Sequence, residues 1–372
     1  MKSIEIDTKL FFTAFSLILA YSFIGSESVF GVFLKNLTYF SQIIFVWLFI
    51  KNIFRYKKIE LLVILGFTFL FLGISINTQD YSIFKLMLFT LAFKNIDFNS
   101  CIKYDVWLRV FLIIIIYVLY TLGYLSDNLS NRGDEFGIIR HSYGFANPNA
   151  LALAVSICCM EFLYTYQKHY LKLKGFFILL VMLFVTMVTD SRTSLYAVIL
   201  FMLLFFVNLY IPNLVRNKLF VTGVKITPTI LAILIAIMVS AFVENPFDQK
   251  SVFYDKILSG RLDIAASYAK LFSPELFGNN LSMNSFVDRS LDNAYVSMYL
   301  SSGIIISVLF LIGYWKLINR LYKANNMVMI FILFCFTIMG VGEKIMLCVD
   351  YNLLMILFGT LFYNKYNYHS NS

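Results

Sequence analysis

GFFILLVMLFVTMVTDSRTSLYAVILFMLLFFVNLY, residues 175–210, consists of two apolar runs joined by Asp190-Ser191-Arg192. Each run approaches the roughly 20 residues a helix needs to cross the ~30 Å hydrocarbon core of a bilayer. Three polar residues between them suffice only for a tight turn, so the chain leaves lipid and re-enters it at once. Runs of similar length recur in both directions. We place spans at 10–26, 37–50, 60–77, 82–94, 107–125, 147–166, 175–190, 192–210, 228–243, 293–314, 327–342 and 345–363, of which the fourth and eleventh are short. The prolines avoid the span centres: Pro148 opens one span, Pro212 and Pro228 flank a connection, and Pro246 and Pro274 lie in the longest loop. The predicted fold class is an all-α polytopic membrane protein of about 12 transmembrane helices, a single transmembrane domain over 1–372 with one large loop at 244–292.

Composition agrees. Of 372 residues, 60% are hydrophobic and 14% charged, and 40 are Phe, which suits helices facing acyl chains. A net charge of +9 without a basic patch on a soluble face gives no nucleic-acid surface. The run from Leu10 to Ile24 follows Lys2 and Lys9 like a signal peptide, yet no A-x-A-like cleavage site follows, so it reads as a retained first span. Five cysteines without C-x-x-C spacing imply neither a disulfide framework nor a zinc site. There is no internal repeat.

Orientation comes from Lys and Arg, which short cytoplasmic loops retain. Lys51, Arg55, Lys57 and Lys58 fall on one side, followed by Lys94 and Lys103, Lys168, Lys172 and Lys174, Arg216, Lys218 and Lys225, then Lys316, Arg320 and Lys323. These connections alternate with poorer ones, which places both termini in the cytoplasm. Residues 126–146, the Asp190–Arg192 turn and 244–292 then face outward.

Charges beside a bilayer are costly, so those gathered on one side at helix ends are the first functional candidates. Arg140 lies upstream of Asn147-Pro148-Asn149, where Asn147 can cap a helix and Pro148 suits its first turn. Arg192 stands where another inward-running span begins. Arg261 opens a stretch whose Leu262, Ala265, Ala266, Ala269 and Phe272 recur at helical spacing before Pro274, predicting a short amphipathic helix on the membrane. An arginine in a first turn opposes the helix dipole by about 0.3–1 kcal/mol unless an anion shares the site. Three such placements on one face point to bound phosphate; the bland reading of each is a snorkelling or topology-setting charge.

Asp292, in Asp292-Asn293-Ala294-Tyr295, fits a plain N-cap and a base equally. His141 fits a hydrogen-bonding neighbour of Arg140 better than a metal ligand, since no second outer-face histidine accompanies it. Glu161, inside the sixth span, could pair with a partner charge, though snorkelling toward the nearby cytoplasmic end is the simpler reading; for Glu343 with Lys344 it is a local ion pair. No D-x-D, Walker loop, G-x-S-x-G or HExxH is present, so any anion is handled without metal or cofactor.

His141-Ser-Tyr-Gly-Phe-Ala-Asn-Pro-Asn149, Thr189-Asp-Ser-Arg-Thr-Ser194, Ser259-Gly-Arg261, Leu276-Phe-Gly278 and Asp292-Asn-Ala-Tyr295 with Gly303 together resemble the Wzy-type oligosaccharide repeat-unit polymerases of Gram-positive capsule and exopolysaccharide clusters, relatives of the O-antigen ligases. Topology carries the resemblance over most of the chain, and motifs carry it over about 150 residues. It implies a GT-C-like or ligase-like fold and metal-independent, inverting glycosyl transfer between undecaprenyl-diphosphate-linked oligosaccharides on the outer face of a bacterial cytoplasmic membrane. A flippase and a chain-length regulator are its implied pathway partners. Arg140, Arg192 and Arg261 take the family's arginine positions. Asp292 stands where the ligases carry histidine, a departure that favours a polymerase over a ligase and leaves the base open; as the nearest acid to the arginine-bearing loop at a span start on that face, Asp292 is our expected base. His141, Tyr143, Asn147, Asn149, Ser191, Asn293 and Tyr295 complete the expected substrate contacts. A ligase acting on another acceptor is the nearest alternative. A lipid-linked oligosaccharide flippase is the alternative from a different class, although transporters place polar groups near the midplane and often repeat internally.

Overall fold

A computed structural model describes residues 2–25, 28–94, 96–131, 139–167, 170–258, 260–281, 291–349 and 351–362. Ser259, Lys168, residues 132–138 of the 126–146 loop and 282–290 of the long loop lie outside the described residues. In chain order the helices are α1 (Lys2–Ile24), α2 (Val29–Ile53), α3 (Lys58–Thr78), α4 (Ser82–Ala92), α5 (Phe98–Thr121), α6 (Pro148–Thr165), α7 (Leu171–Thr189) and α8 (Arg192–Tyr210). There follow α9 (Pro212–Val215), α10 (Lys218–Glu244), α11 (Gln249–Ile257), α12 (Arg261–Leu271), α13 (Ala294–Ser297), α14 (Gly303–Lys323), α15 (Met327–Met339) and α16 (Ile356–Gly359). Short polar side chains start many of them by accepting from first-turn amides that have no partner within the helix. Ser28 accepts from Gly31 at 2.9 Å, Asp97 from Ser100 at 2.8 Å, Asn217 from Leu219 at 3.0 Å and Asn326 from Met329 at 3.2 Å.

Among the described residues, eight helices are long and apolar enough to cross a membrane: Glu5–Ile24, Phe30–Ile53, Lys58–Thr78, Pro148–Thr165, Leu171–Thr189, Arg192–Tyr210, Lys218–Glu244 and Ala294–Lys323. Their outward faces are apolar, with Met187 81% and Phe69 70% exposed, the reverse of a water-facing helix. The chain is thus all-α with helices suited to a multi-pass membrane protein. The expected dozen is not reproduced element by element. At 1.5 Å per residue the apolar helices α4 and α15 measure about 16 and 20 Å, short of the ~30 Å core. The span expected at 345–363 is replaced, over its described residues, by turns, a 3₁₀ turn at Leu353–Met355 and the single turn α16. Its apolarity is spent on a protein interior: Ile345, Leu353, Leu354, Ile356 and Leu357 are wholly buried. Buried Asn352 donates its side-chain amide to the Ile345 carbonyl, holding the chain in turns.

The chain forms two compact units, Met1–Arg55 with Leu91–Phe206, and Tyr56–Thr90 with Val207–Ser372. In unit 1, α1 packs on α2 and α5, and α6 lies between α5 and α7. Here the simpler of the two readings of Glu161 is overturned and the other holds: it does not snorkel but is fully buried beside a partner charge, Arg109, and Asp105. Arg109 Nη2 donates to Asp105 Oδ2 at 3.0 Å, with Nε 3.0 Å from Oδ1 and 3.9 Å from Glu161 Oε2, and the guanidinium lies 5.9 Å from the centre of the Phe23 ring.

In unit 2, α10 carries α12, α13 and α14. The long apolar segment 294–323 is not one α-helix. A π-helical turn, Met298–Ser302, follows α13, and α14 restarts at Gly303, whose φ is +89°. Into this break the segment around Leu276-Phe-Gly278 inserts its backbone: Asn279 N donates to the Leu300 carbonyl at 2.9 Å, Ile304 N to Glu275 at 3.0 Å and Ile305 N to Leu276 at 3.2 Å. Two motif glycines, Gly278 and Gly303, therefore meet backbone to backbone.

Candidate functional site

In unit 1, Arg140 ends a two-residue strand, Ile139–Arg140, paired antiparallel with Ser130–Asn131. Its Nε donates to the Thr189 carbonyl at 2.6 Å and its Nη2 to Asn149 Oδ1. The next amide, of His141, donates to the Val188 carbonyl at 3.1 Å. The last carbonyls of α7, which a helix leaves without partners, are thereby satisfied by a cation and an amide, a placement the helix dipole also favours. Two motifs about forty residues apart, His141–Asn149 and Thr189–Ser194, so meet at one arginine. Asn147 caps α6 as expected, accepting from Ala150 N at 2.8 Å, with Pro148 in the first turn.

The group that organises this loop is Asp127, which the sequence reading passed over. One carboxylate oxygen accepts from Ser142 N at 2.7 Å and Tyr143 N at 3.1 Å, while the other is 2.6 Å from His141 Nδ1. Tyr143, at φ +47°, stacks its ring on His141 with centroids 5.5 Å apart. Partial burial works against the ionised Asp127 carboxyl, but the His141 side chain and the two amides outweigh it and hold the group below the ordinary aspartate value. A depressed carboxylate pKa gives stabilisation that is complete above the unfolded-state value of about 3.9 and is lost as pH falls through the folded value. Hydrogen exchange at Ser142 and Tyr143, corrected for intrinsic rate, is therefore expected to accelerate as pH is lowered from about 5 through this range. Asp127→Asn should accelerate it already at neutral pH. Unchanged protection in that variant would rule out the anchor.

Arg192 begins α8, and its side chain is 53% exposed, with Nε donating to Asp190 at 3.2 Å. Ser191 is buried and bonds to Ser194 at 3.3 Å, inside the turn. Of the two candidate arginines in unit 1, Arg192 presents its charge outward and Arg140 spends its own on the loop.

In unit 2, Arg261 opens α12 as the spacing predicts, but Leu262, Ala265 and Ala266 are buried and the helix packs on α10 and α11, so that face covers protein. The anion that a first-turn arginine calls for is supplied by the chain. Asp255 accepts from the amides of Leu262 and Asp263 at 3.0 Å each, and Arg261 Nη2 donates to Glu343 at 2.7 Å. Glu343 thus bridges to α12 rather than to neighbouring Lys344, correcting the local ion pair. Asn293, not Asp292, caps α13, accepting from Tyr295 N at 3.0 Å and Val296 N at 3.1 Å, so the cap role expected of Asp292 passes one residue on. Asn293 also donates to the Val341 carbonyl at 2.8 Å, and Ala294 N to Gly340 at 2.9 Å, which draws the Glu343 loop to the start of α13. Tyr295 is buried with its hydroxyl on the Thr337 carbonyl at 2.8 Å, a packing role. Asp292 is half-buried; burial, and then the Asp292 charge, push the Tyr268 phenol above its ordinary value. The Arg261–Glu343 pair is thereby tied through residues 340–343 to the start of α13, one residue beyond Asp292.

No protein-family model, curated protein or solved structure matches the chain.

Proposed function

We propose that this chain is a membrane-embedded glycosyltransferase that joins undecaprenyl-diphosphate-linked oligosaccharide repeat units, polymerising them on the extracytoplasmic face of a bacterial cytoplasmic membrane. The proposal includes the orientation read from Lys and Arg, with both termini cytoplasmic, residues 244–292 outside and a GT-C-like architecture. The observation that supports it lies in unit 2, where Arg261 pairs with Glu343 and the loop bearing Glu343 is hydrogen-bonded to Asn293 and Ala294, the residues that follow Asp292 at a helix start. Glycosyl transfer needs that pair of chemistries: a permanent cation for the negative charge developing on a leaving diphosphate, and a carboxylate for the proton of the attacking hydroxyl.

In the step we envisage, the acceptor hydroxyl oxygen attacks the anomeric carbon as the bond from that carbon to the diphosphate oxygen breaks. The bonding pair leaves with the diphosphate, the hydroxyl proton passes to Asp292, and configuration at the anomeric carbon inverts. In unit 2, Arg261 is the cation for the leaving diphosphate; in unit 1, exposed Arg192 is a separate cation for the lipid-linked substrate, and Arg140, with Asn149, shapes the loop that bears His141 and Tyr143. Glu343 sets the position of Arg261.

The test uses purified protein and isolated undecaprenyl-diphosphate-linked repeat unit with no ion gradient. Lengthening into a ladder of repeats is expected. Arg192→Ala and Arg261→Ala should each slow it about 100- to 1000-fold, and Asp292→Asn about 100-fold or more. Transfer to a different acceptor without a ladder would mean a ligase, and translocation without any new glycosidic bond would mean a flippase; either result overturns the polymerase reading.

A further inference from the structure

Unit 2 holds a half-open cavity of about 550 Å³ between α3, α4, α14 and residues 347–362. One stripe of α14 forms a wall, with Ile306, Phe310, Gly313, Lys316 and Arg320 recurring at three- and four-residue spacing. The first three are apolar, as are Phe67 and Phe358 opposite, and the last two are cations. No acidic residue lines the cavity. Arg320 donates Nη1 to the Thr360 carbonyl, which fixes its guanidinium at the cavity end. Lys316 is exposed one turn earlier and makes no hydrogen bond or ion pair with any described residue.

Away from Thr90, Lys316 and Arg320 the lining is apolar, and water held there would have few polar partners. Beside a bilayer the available filling is hydrocarbon. A neutral tail would be indifferent to two cations at one end, whereas a chain ending in a phosphate would not. We propose that the cavity holds one acyl chain of an anionic glycerophospholipid, with its phosphate between Lys316 and Arg320. The site lies at the end of α14 opposite Asp292, about 20 Å along the axis from Gly303 at the helical rise. It is independent of the glycosyltransferase reading and needs only that these helices stand in a membrane. The loop bearing Lys316, Arg320 and Lys323 was assigned to the cytoplasm from its charge, which puts the headgroup in the inner leaflet.

The experiment is thermal unfolding of delipidated full-length protein in neutral detergent, titrated separately with phosphatidylglycerol, phosphatidylcholine of the same acyl chains, glycerol phosphate and inorganic phosphate. Phosphatidylglycerol alone is expected to raise the melting temperature saturably. Lys316→Ala should weaken its half-saturation about fivefold, and Lys316→Ala with Arg320→Ala about 25-fold, from the strength of a cation near an anionic lipid surface. Lys316 is exposed, so the single variant tests the idea even if the double variant does not fold. Leu309→Trp, which fills the cavity and keeps both cations, should abolish the stabilisation. Equal stabilisation by phosphatidylcholine, stabilisation by either free phosphate, or undiminished phosphatidylglycerol affinity in Lys316→Ala would each overturn the proposal.

Discussion

Gly303→Ala is expected to prevent unit 2 from reaching its folded state, and Gly278→Ala to do the same. Gly303 has φ +89° and ψ 165°, a conformation that side-chain-bearing residues avoid and that costs them about 1–3 kcal/mol. Space is the larger obstacle. A Cβ at Gly303 would lie 2.6 Å from the Leu276 carbonyl oxygen and closer still to Gly278 N; one at Gly278, at φ +78°, would overlap the Ser301 carbonyl oxygen. All of these neighbours are backbone and cannot rotate away. Relief would require withdrawing the 275–279 segment, which would leave the amides of Ile304 and Ile305 and the carbonyl of Leu300 unbonded inside apolar surroundings, at several kcal/mol. Gly223 in α10 is the control, because nothing stands within 4 Å of its would-be Cβ; alanine there should be neutral or favour the helix by up to about 1 kcal/mol. Abundance in the membrane fraction and thermal unfolding in detergent measure all three. A wild-type melting temperature for Gly303→Ala would refute the backbone insertion.

The second large effect is expected at Arg109. Arg109→Met keeps the volume approximately but leaves two fully buried carboxyl groups without their cation, and breaking such a buried set costs about 3–5 kcal/mol. Replacing the whole set by apolar side chains of similar size, as in Asp105→Leu with Arg109→Met and Glu161→Leu, should recover most of that loss, since no uncompensated polar group remains. The comparison separates a structural cluster from one that works. If the triple variant is stable yet inactive in the lengthening assay, these residues serve the reaction as well as the packing of α5 on α6. If Arg109→Met alone costs nothing measurable, the charges do not sit together as described.

The two effects differ in how legible they were. Gly278 and Gly303 belong to motifs visible in the sequence, but nothing local says that a segment some twenty-five residues upstream threads into a helix break. Hydropathy reports only that 294–323 is apolar, and an unbroken helix satisfies that equally well. The Asp105–Arg109–Glu161 set was missed because positions 105 and 109 fall at one end of an apolar run and 161 toward the end of another, where snorkelling is an adequate local account. Only the pairing of α5 with α6 closes that route to water. The run at 345–363 erred in the opposite sense: its hydropathy is that of a span, but its leucines and isoleucines face protein. Apolar composition cannot distinguish lipid from a neighbouring helix as the burying medium.

By itself the sequence determined that the chain is helical, that its helices suit a membrane, and roughly where α3, α4, α6, α7, α8 and α15 begin and end; it set the starts of α1, α2, α5 and α10 eight to ten residues late, Pro228 lying inside α10, and of the caps it found Asn147. These follow from local quantities: run length against bilayer thickness, and short polar side chains against unpaired first-turn amides. The tertiary structure decided the partners. It gave Asp127 to His141, Thr189 and Asn149 to Arg140, Glu343 to Arg261, and the cap of α13 to Asn293 in place of Asp292. The physical reason is that a buried charge or unpaired helix-end group needs a polar partner within a few ångströms, and in these four cases a partner sits on another segment, at a sequence distance that no local pattern encodes.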